Sequence, residues 1–305
     1  LTVADMRGTS PKVWNNWKDR LLAQLYSDTM QVLRRGLATP IDMDSRISDL
    51  RSEARARVGS KIPADAVDQF WARMDTDYFL RHDALSLAWH AQTIAPAAAT
   101  DMPLVAARYL PEVGGSELMV FAADRPDLFA IVTAGFERLN LSIVDARIHT
   151  TRTGFALDTF VFLDHTGAPI VETKALDELA RTMREQLLQP KPGRGLTSVH
   201  LPRQLKQFPI ATDVRFSVSR NGQLSLMEVT AQDRPGLLYQ IALALQHCRV
   251  NLITAKIATY GERAEDIFFI VDDGGRPVNA EHQACLRADV ERRLSGGNDA
   301  QVVNI

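Results

Sequence analysis

Cysteine is scarce in this chain, whose 305 residues include only Cys248 and Cys285. Both fall on helical patterns, and we expect two reduced thiols in a core rather than a disulfide framework. No apolar run approaches the length of a membrane span, and the opening Leu1–Asp5 lacks the basic and apolar regions of a signal peptide. These features predict a cytoplasmic globular protein with no membrane partner.

An excess of charge of one sign is also missing. The chain has 35 basic and 37 acidic residues, and its formal net charge is -2. A nucleic-acid partner is therefore not expected. A length of 305 residues suits two or three domains. Because the sequence opens with Leu1 rather than with methionine, we expect it to be the C-terminal portion of a longer protein.

Helical spacing dominates the chain up to about residue 95. Apolar residues recur at intervals of three and four, after N-cap residues and first-turn prolines. The four apolar stripes are Trp14–Val32, Ile47–Val58, Val67–Met74 and Ala84–Ile94. Residues 1–97 are therefore predicted to be all-helical, with the tryptophans of the first stripe in its packing, and residues 98–114 are predicted to be a linker.

The rest of the chain contains one stretch twice. The copies are Leu118–Phe129 and Met227–Leu238. Asp124 aligns with Asp233 at a shift of 109 positions, and after a one-residue deletion Asp158 aligns with Asp266 at a shift of 108. Similarity of this length indicates a domain duplication.

The period changes from helical to strand-like in both copies. Each reads as β-α-β-β-α, the order of the ferredoxin-like βαββαβ unit, which ends with one more strand. We predict an α+β protein with units at 115–196 and 224–305, joined by a linker at 197–223. Either Ser198–Leu201 or Asp213–Val218 is expected to complete the first unit, and Gln301–Ile305 the second.

The repeated Asp-Arg-Pro sequence lies where a strand ends and a helix begins. Pro235 suits a first helical turn, and Gly236 lets a ligand approach the backbone N–H groups at the positive end of the helix dipole. A small carboxylate, such as that of an amino acid, fits this place. A single copy would be explained by a good helix start, but two copies in the same frame favour a ligand site.

Asp233-Arg-Pro-Gly-Leu-Leu238, followed by Val250-Asn-Leu252, resembles the ACT domain, a small regulatory amino-acid-binding module. The resemblance implies that two such units associate, within one chain or between chains, with ligands at their seam. It assigns a pocket to Asp233, Arg234, Pro235, Gly236, Leu237, Leu238 and Asn251. A weaker second site would use Asp124, Arg125, Pro126, Asp127 and Leu128, because Asp127 stands where the other copy has glycine and would repel a carboxylate.

The start of the chain carries a second resemblance. Leu1–Trp14 is similar to the end of an HD-type phosphohydrolase domain, whose last metal ligand would be Asp5. With Trp14–Lys18 and Tyr78–His82, the chain resembles the bacterial enzymes that uridylylate and deuridylylate the nitrogen regulatory protein PII. This family implies transfer of UMP from UTP to PII, hydrolytic removal of UMP, Mg²⁺ (or Mn²⁺) at the catalytic sites, and glutamine as the allosteric effector.

Asp5 would be the only catalytic metal ligand present, so we expect no complete catalytic site in these 305 residues. His82-Asp83 is an HD dipeptide, but it follows Asp5 instead of preceding it and is assigned to the connector or surface. His149 and His165 are expected to be solvated. The alternatives are a free-standing ACT-type amino-acid-binding protein and another HD-plus-ACT enzyme, such as those that make and break guanosine tetraphosphate.

Overall fold

The computed structural model follows the predicted order of helices first and mixed units second. It describes residues 22, 26, 29–30, 43–60, 62–191, 210–219, 222–234, 236–257, 259–260 and 263–295. Asp5, Ser198–Leu201, Pro235 and Gln301–Ile305 lie outside the described residues, as does most of the stripe Trp14–Val32. Among the described residues, no helix is both long and apolar enough to cross a membrane.

Helices α1 to α4 form one helical region, called the connector below. They are α1 (Met43–Val58), α2 (Ala64–Trp71), α3 (Thr76–Arg81) and α4 (Ala84–Ile94). Two aspartates set the starts of the short helices, since the side chain of Asp75 accepts a hydrogen bond from the Tyr78 N–H and that of Asp83 from the Ser86 N–H. The sequence predicted three of these helices and missed α3.

Each of the two units has four main strands and two helices. The first contains β1 (Leu104–Leu110), β2 (Gly115–Ala123), α5 (Leu128–Arg138), β3 (Ser142–Arg147), β4 (Phe155–Leu163) and α6 (Thr173–Leu188). The second contains β5 (Asp213–Val218), β6 (Ser225–Gln232), α7 (Leu237–His247), β7 (Val250–Lys256), the short β8 (Thr259–Tyr260), β9 (Arg263–Asp272) and α8 (Ala280–Ser295). The predicted α+β class is confirmed.

The strands at the two edges of the sheet differ from those predicted. β1 pairs with β2 and completes the first unit, although its residues were assigned to a linker. Asp213–Val218 is a strand, but it pairs with β6 and so belongs to the second unit. It fills the edge that Gln301–Ile305 was expected to close. In both units the extra strand therefore comes before the repeated stretch, not after the last helix. A strand placed there forms a short antiparallel hairpin with β2 or β6, so it occupies the same sheet edge as a strand that returns from the last helix.

One continuous antiparallel sheet runs through both units. Its strand order is β1-β2-β4-β3-β7-β9-β6-β5, with β8 beside β9. The join lies between β3 and β7, where Ala146 is paired with Ala255. We call this join the seam. The units therefore associate side by side within one chain, with α5 packed against α7 on the same face of the sheet.

Cys248 and Cys285 form a disulfide between the end of α7 and the middle of α8, with their Cα atoms 5.9 Å apart. The expectation of two reduced thiols is wrong for this structure. The helical pattern showed that each cysteine lies on an inner face, and it contained no information that the two faces meet at these residues.

The connector packs on the other face of the first unit, and among the described residues its buried cluster includes no side chain of the second unit. Met119, Phe121 and Leu157 belong to a buried cluster with the connector side chains. The repeat-equivalent positions in the second unit are Glu228, Thr230 and Glu265, of which both glutamates are exposed. The duplicated sheets thus differ in sequence where one is covered and the other is not.

This difference predicts opposite responses to swapping residues between the units. Leu157→Glu should lower the free energy of unfolding by at least about 3 kcal/mol, because it puts an unpaired carboxylate between the connector and the sheet. The reciprocal change Glu265→Leu should alter it by less than about 1 kcal/mol, since the side chain stays in water. Urea unfolding followed by tryptophan fluorescence measures both. Equal effects would show that the connector does not bury Leu157.

Candidate functional site

The two Asp-Arg-Pro turns share one backbone hydrogen bond. In the first turn the Leu128 N–H donates to the Arg125 carbonyl at 3.1 Å, and in the second the Leu237 N–H donates to the Arg234 carbonyl at 3.2 Å. Leu128 and Leu237 are buried as the first helical residues of α5 and α7. Neither helix start is capped by a side chain of its own N-cap residue, so the N–H groups of each first helical turn have no side-chain cap of the kind that would compete with an anion.

The arginines of both turns bind the neighbouring helix. Arg125 donates to the carbonyl of Leu187 near the end of α6 at 3.2 Å, and Arg234 donates to the carbonyl of Leu294 near the end of α8. A guanidinium at a helix C-terminus satisfies a carbonyl that has no intrahelical partner and complements the helix dipole. Each arginine thus fixes the second helix of its unit to the turn, a structural role that the sequence did not reveal.

The third residue after each aspartate distinguishes the turns. In the first, the Asp127 carboxylate lies 3.1 Å from Nε of Arg125 and neutralises it. In the second, Gly236 adopts φ +86°, a left-handed conformation that favours glycine. Nε of Arg234 is buried there without a hydrogen-bond acceptor, and burial lowers the pKa of Arg234. The second turn therefore has an arginine donor available where the first has an internal ion pair.

Asn251 does not join the Asp233 turn within its own unit. The turn follows Gln232, which pairs with Arg263, whereas Asn251 pairs with Val271 near the other end of β9. Strand geometry separates these ends by roughly 26–30 Å. Because β3 and β7 are antiparallel across the seam, Asn251 instead lies at the end of the sheet that carries the Asp124 turn. Asp233, which is exposed, stays with Leu238 at the opposite end.

A buried carboxyl group lies behind the first turn. Asp158 is 1% exposed, and its Oδ1 accepts a hydrogen bond from the His149 N–H at 3.4 Å. Burial raises the pKa of Asp158 to about 8, with a smaller contribution from the charge of Asp124. Asp124 itself accepts a hydrogen bond from Oγ1 of Thr150 at 2.8 Å. Asp266, the repeat equivalent of Asp158, is also 1% exposed, so both turns have a buried carboxyl group behind them.

Three histidines lie between the connector and the first unit, and one of them, His149, was wrongly expected to be solvated. His82 lies in the connector, one of the two places assigned to it, and is 4% exposed, while His149 is 8% exposed and His165 is exposed as expected. Together with His90, His82 and His149 surround Tyr78, whose hydroxyl lies 2.9 Å from Nδ1 of His90. Burial is the main cause that lowers the pKa of His82 to about 3. These rings are neutral packing groups at neutral pH.

Comparisons with known proteins find similarity both to the connector and to nearly the whole chain. The family described as "Uridylyltransferase GlnD fifth domain" matches residues 42–93, which coincide with α1 to α4. A "Bifunctional uridylyltransferase/uridylyl-removing enzyme" of Ectopseudomonas mendocina (strain ymp) is 39% identical over 302 residues, which are 97% of this chain and 34% of that protein.

Two further relatives carry the same description. The one from Pseudomonas syringae pv. syringae (strain B728a) is 37% identical over 99% of this chain and 35% of its own length. The one from Pseudomonas aeruginosa (strain LESB58) is 38% identical over 98% of this chain and 34% of its own length. The resemblance inferred from the sequence is confirmed, and the chain spans about a third of the length of these curated relatives.

The raised pKa of Asp158 predicts a pH-dependent stability. The folded state keeps a proton that the unfolded chain releases near the ordinary value of 3.8, so stability declines as the pH rises from 3.8 through about 8. The wild type should therefore lose free energy of unfolding between pH 5 and pH 8.5, whereas Asp158→Asn has no such proton to lose. The difference in free energy of unfolding, variant minus wild type, should rise by on the order of several kcal/mol over this range. Urea unfolding at both pH values measures this. Asp177→Asn, at an exposed position of α6, is the control, and a parallel pH response of Asp158→Asn and wild type would contradict the assignment.

Proposed function

We propose that this chain is the glutamine-sensing regulatory portion of a bifunctional enzyme that transfers UMP from UTP to PII and removes it by hydrolysis. The observation that carries the proposal is the similarity of nearly the whole chain to relatives described as bifunctional uridylyltransferase/uridylyl-removing enzymes. The match of α1 to α4 to a domain of the same enzymes supports this reading over a free-standing amino-acid-binding protein.

The catalytic domains belong to the rest of the parent enzyme in this proposal. They would use Mg²⁺ or Mn²⁺ to bind UTP phosphates and to activate the hydrolytic water. The one metal ligand that the resemblance assigns to this chain, Asp5, lies outside the described residues. The described residues therefore contribute regulation, and no catalytic step is assigned to them.

The second turn is the proposed place for the α-carboxylate of glutamine. The N–H groups of the first turn of α7 supply donors at the positive end of the helix, and Gly236 leaves their approach open. Nε of Arg234 adds a charged donor that has no acceptor. A carboxylate here would satisfy this buried group, which otherwise stays desolvated at a cost of about 1–3 kcal/mol.

The proposed signal path runs through packed contacts from the second unit to the first unit and from there to the connector. Glutamine would bind at the start of α7, which packs across the seam against α5 of the first unit. The first unit in turn holds the connector through Met119, Phe121 and Leu157. A ligand alters catalysis upstream only if it binds one arrangement of these parts better than another, and this chain of contacts offers a route for that preference.

Glutamine binding is the first test, and Gly236→Asp is the informative variant. Wild-type chain should bind glutamine in isothermal titration calorimetry, whereas Gly236→Asp should bind at least roughly tenfold more weakly, because a fixed carboxylate opposes that of the ligand. Gly275→Asp is the matched control, since Gly275 also has a positive φ, of +73°, but lies in the turn after β9. Gly275→Asp distinguishes the effect of backbone strain at a positive φ from the effect of a carboxylate at the proposed glutamine site.

The first turn supplies a reciprocal variant. Asp127→Gly releases Arg125 from its internal ion pair and should leave binding at the second turn within roughly twofold of wild type, as expected for distant independent sites. Unchanged affinity in Gly236→Asp would reject the second turn as the site. Complete absence of glutamine binding by the wild-type chain would reject the sensing function itself.

A further inference from the structure

A group of metal-ligating side chains lies at the far end of α7 from the proposed glutamine site. His247, Cys248 and Cys285 each offer one ligand atom, and these atoms lie within 4.8 Å of one another. Cys248 is buried, Cys285 is half-buried and His247 is exposed. The eleven residues of α7 separate the group from the second turn by about 16 Å, so the two places are distinct.

The donor set matches the preference of zinc. Thiolate sulfur and imidazole nitrogen are its usual protein ligands, in a tetrahedral arrangement. Zinc–sulfur bonds of about 2.3 Å and zinc–nitrogen bonds of about 2.0 Å place tetrahedral ligand atoms roughly 3.5–3.8 Å apart. The three ligand atoms here lie within 4.8 Å of one another, and the two sulfurs are held together by the disulfide. Once the disulfide is reduced, small side-chain rotations would bring them to these distances.

A carboxylate is positioned to support the imidazole. Oδ2 of Asp289 lies 3.5 Å from Nδ1 of His247. Asp289 is itself held by Arg293, whose Nε is 2.7 Å from the same oxygen, and by Arg292 at the other oxygen. Metal-binding histidines commonly donate their second ring N–H to such a carboxylate, which fixes the ring and its tautomer. Asp289 would leave Nε2 of His247 for the ion.

We propose that the reduced chain binds one Zn²⁺ through Cys248, Cys285 and His247, with Asp289 orienting the imidazole and water in the fourth position. Binding replaces the two thiol protons, which are released to solvent, and involves no change of oxidation state. The ion and the disulfide use the same sulfur atoms and therefore exclude each other. Either one links α7 to α8, so the second unit keeps this connection in both states.

Cobalt(II) is the probe, because thiolate ligands give it a charge-transfer band and a tetrahedral field intensifies its visible bands. The full chain is reduced with a phosphine and freed of metal by a chelator, and a thiol titration confirms two free thiols before cobalt is added. The wild-type chain should develop both sets of bands at one equivalent of Co²⁺. One equivalent of Zn²⁺ should then abolish them, since zinc binds such sites more tightly than cobalt.

Variants separate the ligands from their surroundings. Cys248→Ser and Cys285→Ser should each weaken the charge-transfer band and lower affinity more than tenfold. His247→Gln should keep the charge-transfer band but lower affinity, and Asp289→Asn should lower it roughly 10–100-fold, as expected for a supporting carboxylate. His282→Gln is the matched control, because His282 lies on the same helix α8 outside the group.

The proposal is overturned if the reduced wild-type chain, with two titratable thiols, shows no cobalt–thiolate band at stoichiometric metal. It is also overturned if His247→Gln and His282→Gln bind Co²⁺ with the same affinity as wild type, because the imidazole would then not be a ligand. Neither result bears on glutamine binding, which calorimetry of the same samples measures separately at the other end of α7.

Discussion

The seam between β3 and β7 is the contact on which the arrangement of the two units depends. Ala146 faces Ala255 there, and these two residues are also equivalents in the sequence repeat. A residue that pairs with its own repeat copy lies beside a local two-fold axis, as in an isologous dimer interface. The duplicated chain thus forms within itself the contact that two separate copies would form. The small alanine side chains suit close packing of α5 and α7 over the seam.

A two-fold arrangement of identical units would offer two identical sites and two identical outer faces, and this chain has neither. Arg125 is neutralised by Asp127, whereas Arg234 stands beside Gly236 and retains a buried donor without an acceptor. The outer face of the first sheet is apolar and covered by the connector, and that of the second carries Glu228 and Glu265. In the proposed function, one unit has become the attachment point and the other the sensor.

The sequence predicted much of this fold because its strongest signals are local. Helical spacing in 43–94, strand alternation in Leu141–Thr150 (β3) and the repeat itself located most of the elements to within a few residues. The edge strands β1 and β5 were misassigned because a strand's partner is a non-local property. Leu104–Leu110 has a partly buried residue at every position, so it lacks the alternation that marks a half-buried strand.

Prediction of the candidate site was limited in the same way, because only its local features could be read from the sequence. Helix starts with Asp-Arg-Pro were visible because the chemistry of a helix N-terminus lies within a few consecutive residues. The contact of Asn251 with one turn or the other depends on strand direction, and the resemblance alone placed it with the wrong end of its own sheet. Likewise, two helical patterns each placed a cysteine inward, but only the packing of α7 on α8 brought Cys248 to Cys285.

Antiparallel pairing at the seam also puts the two turns at opposite ends of one sheet. In the proposed function, and within the described residues, the packed route from a ligand at the second turn to the connector crosses the seam and the first unit.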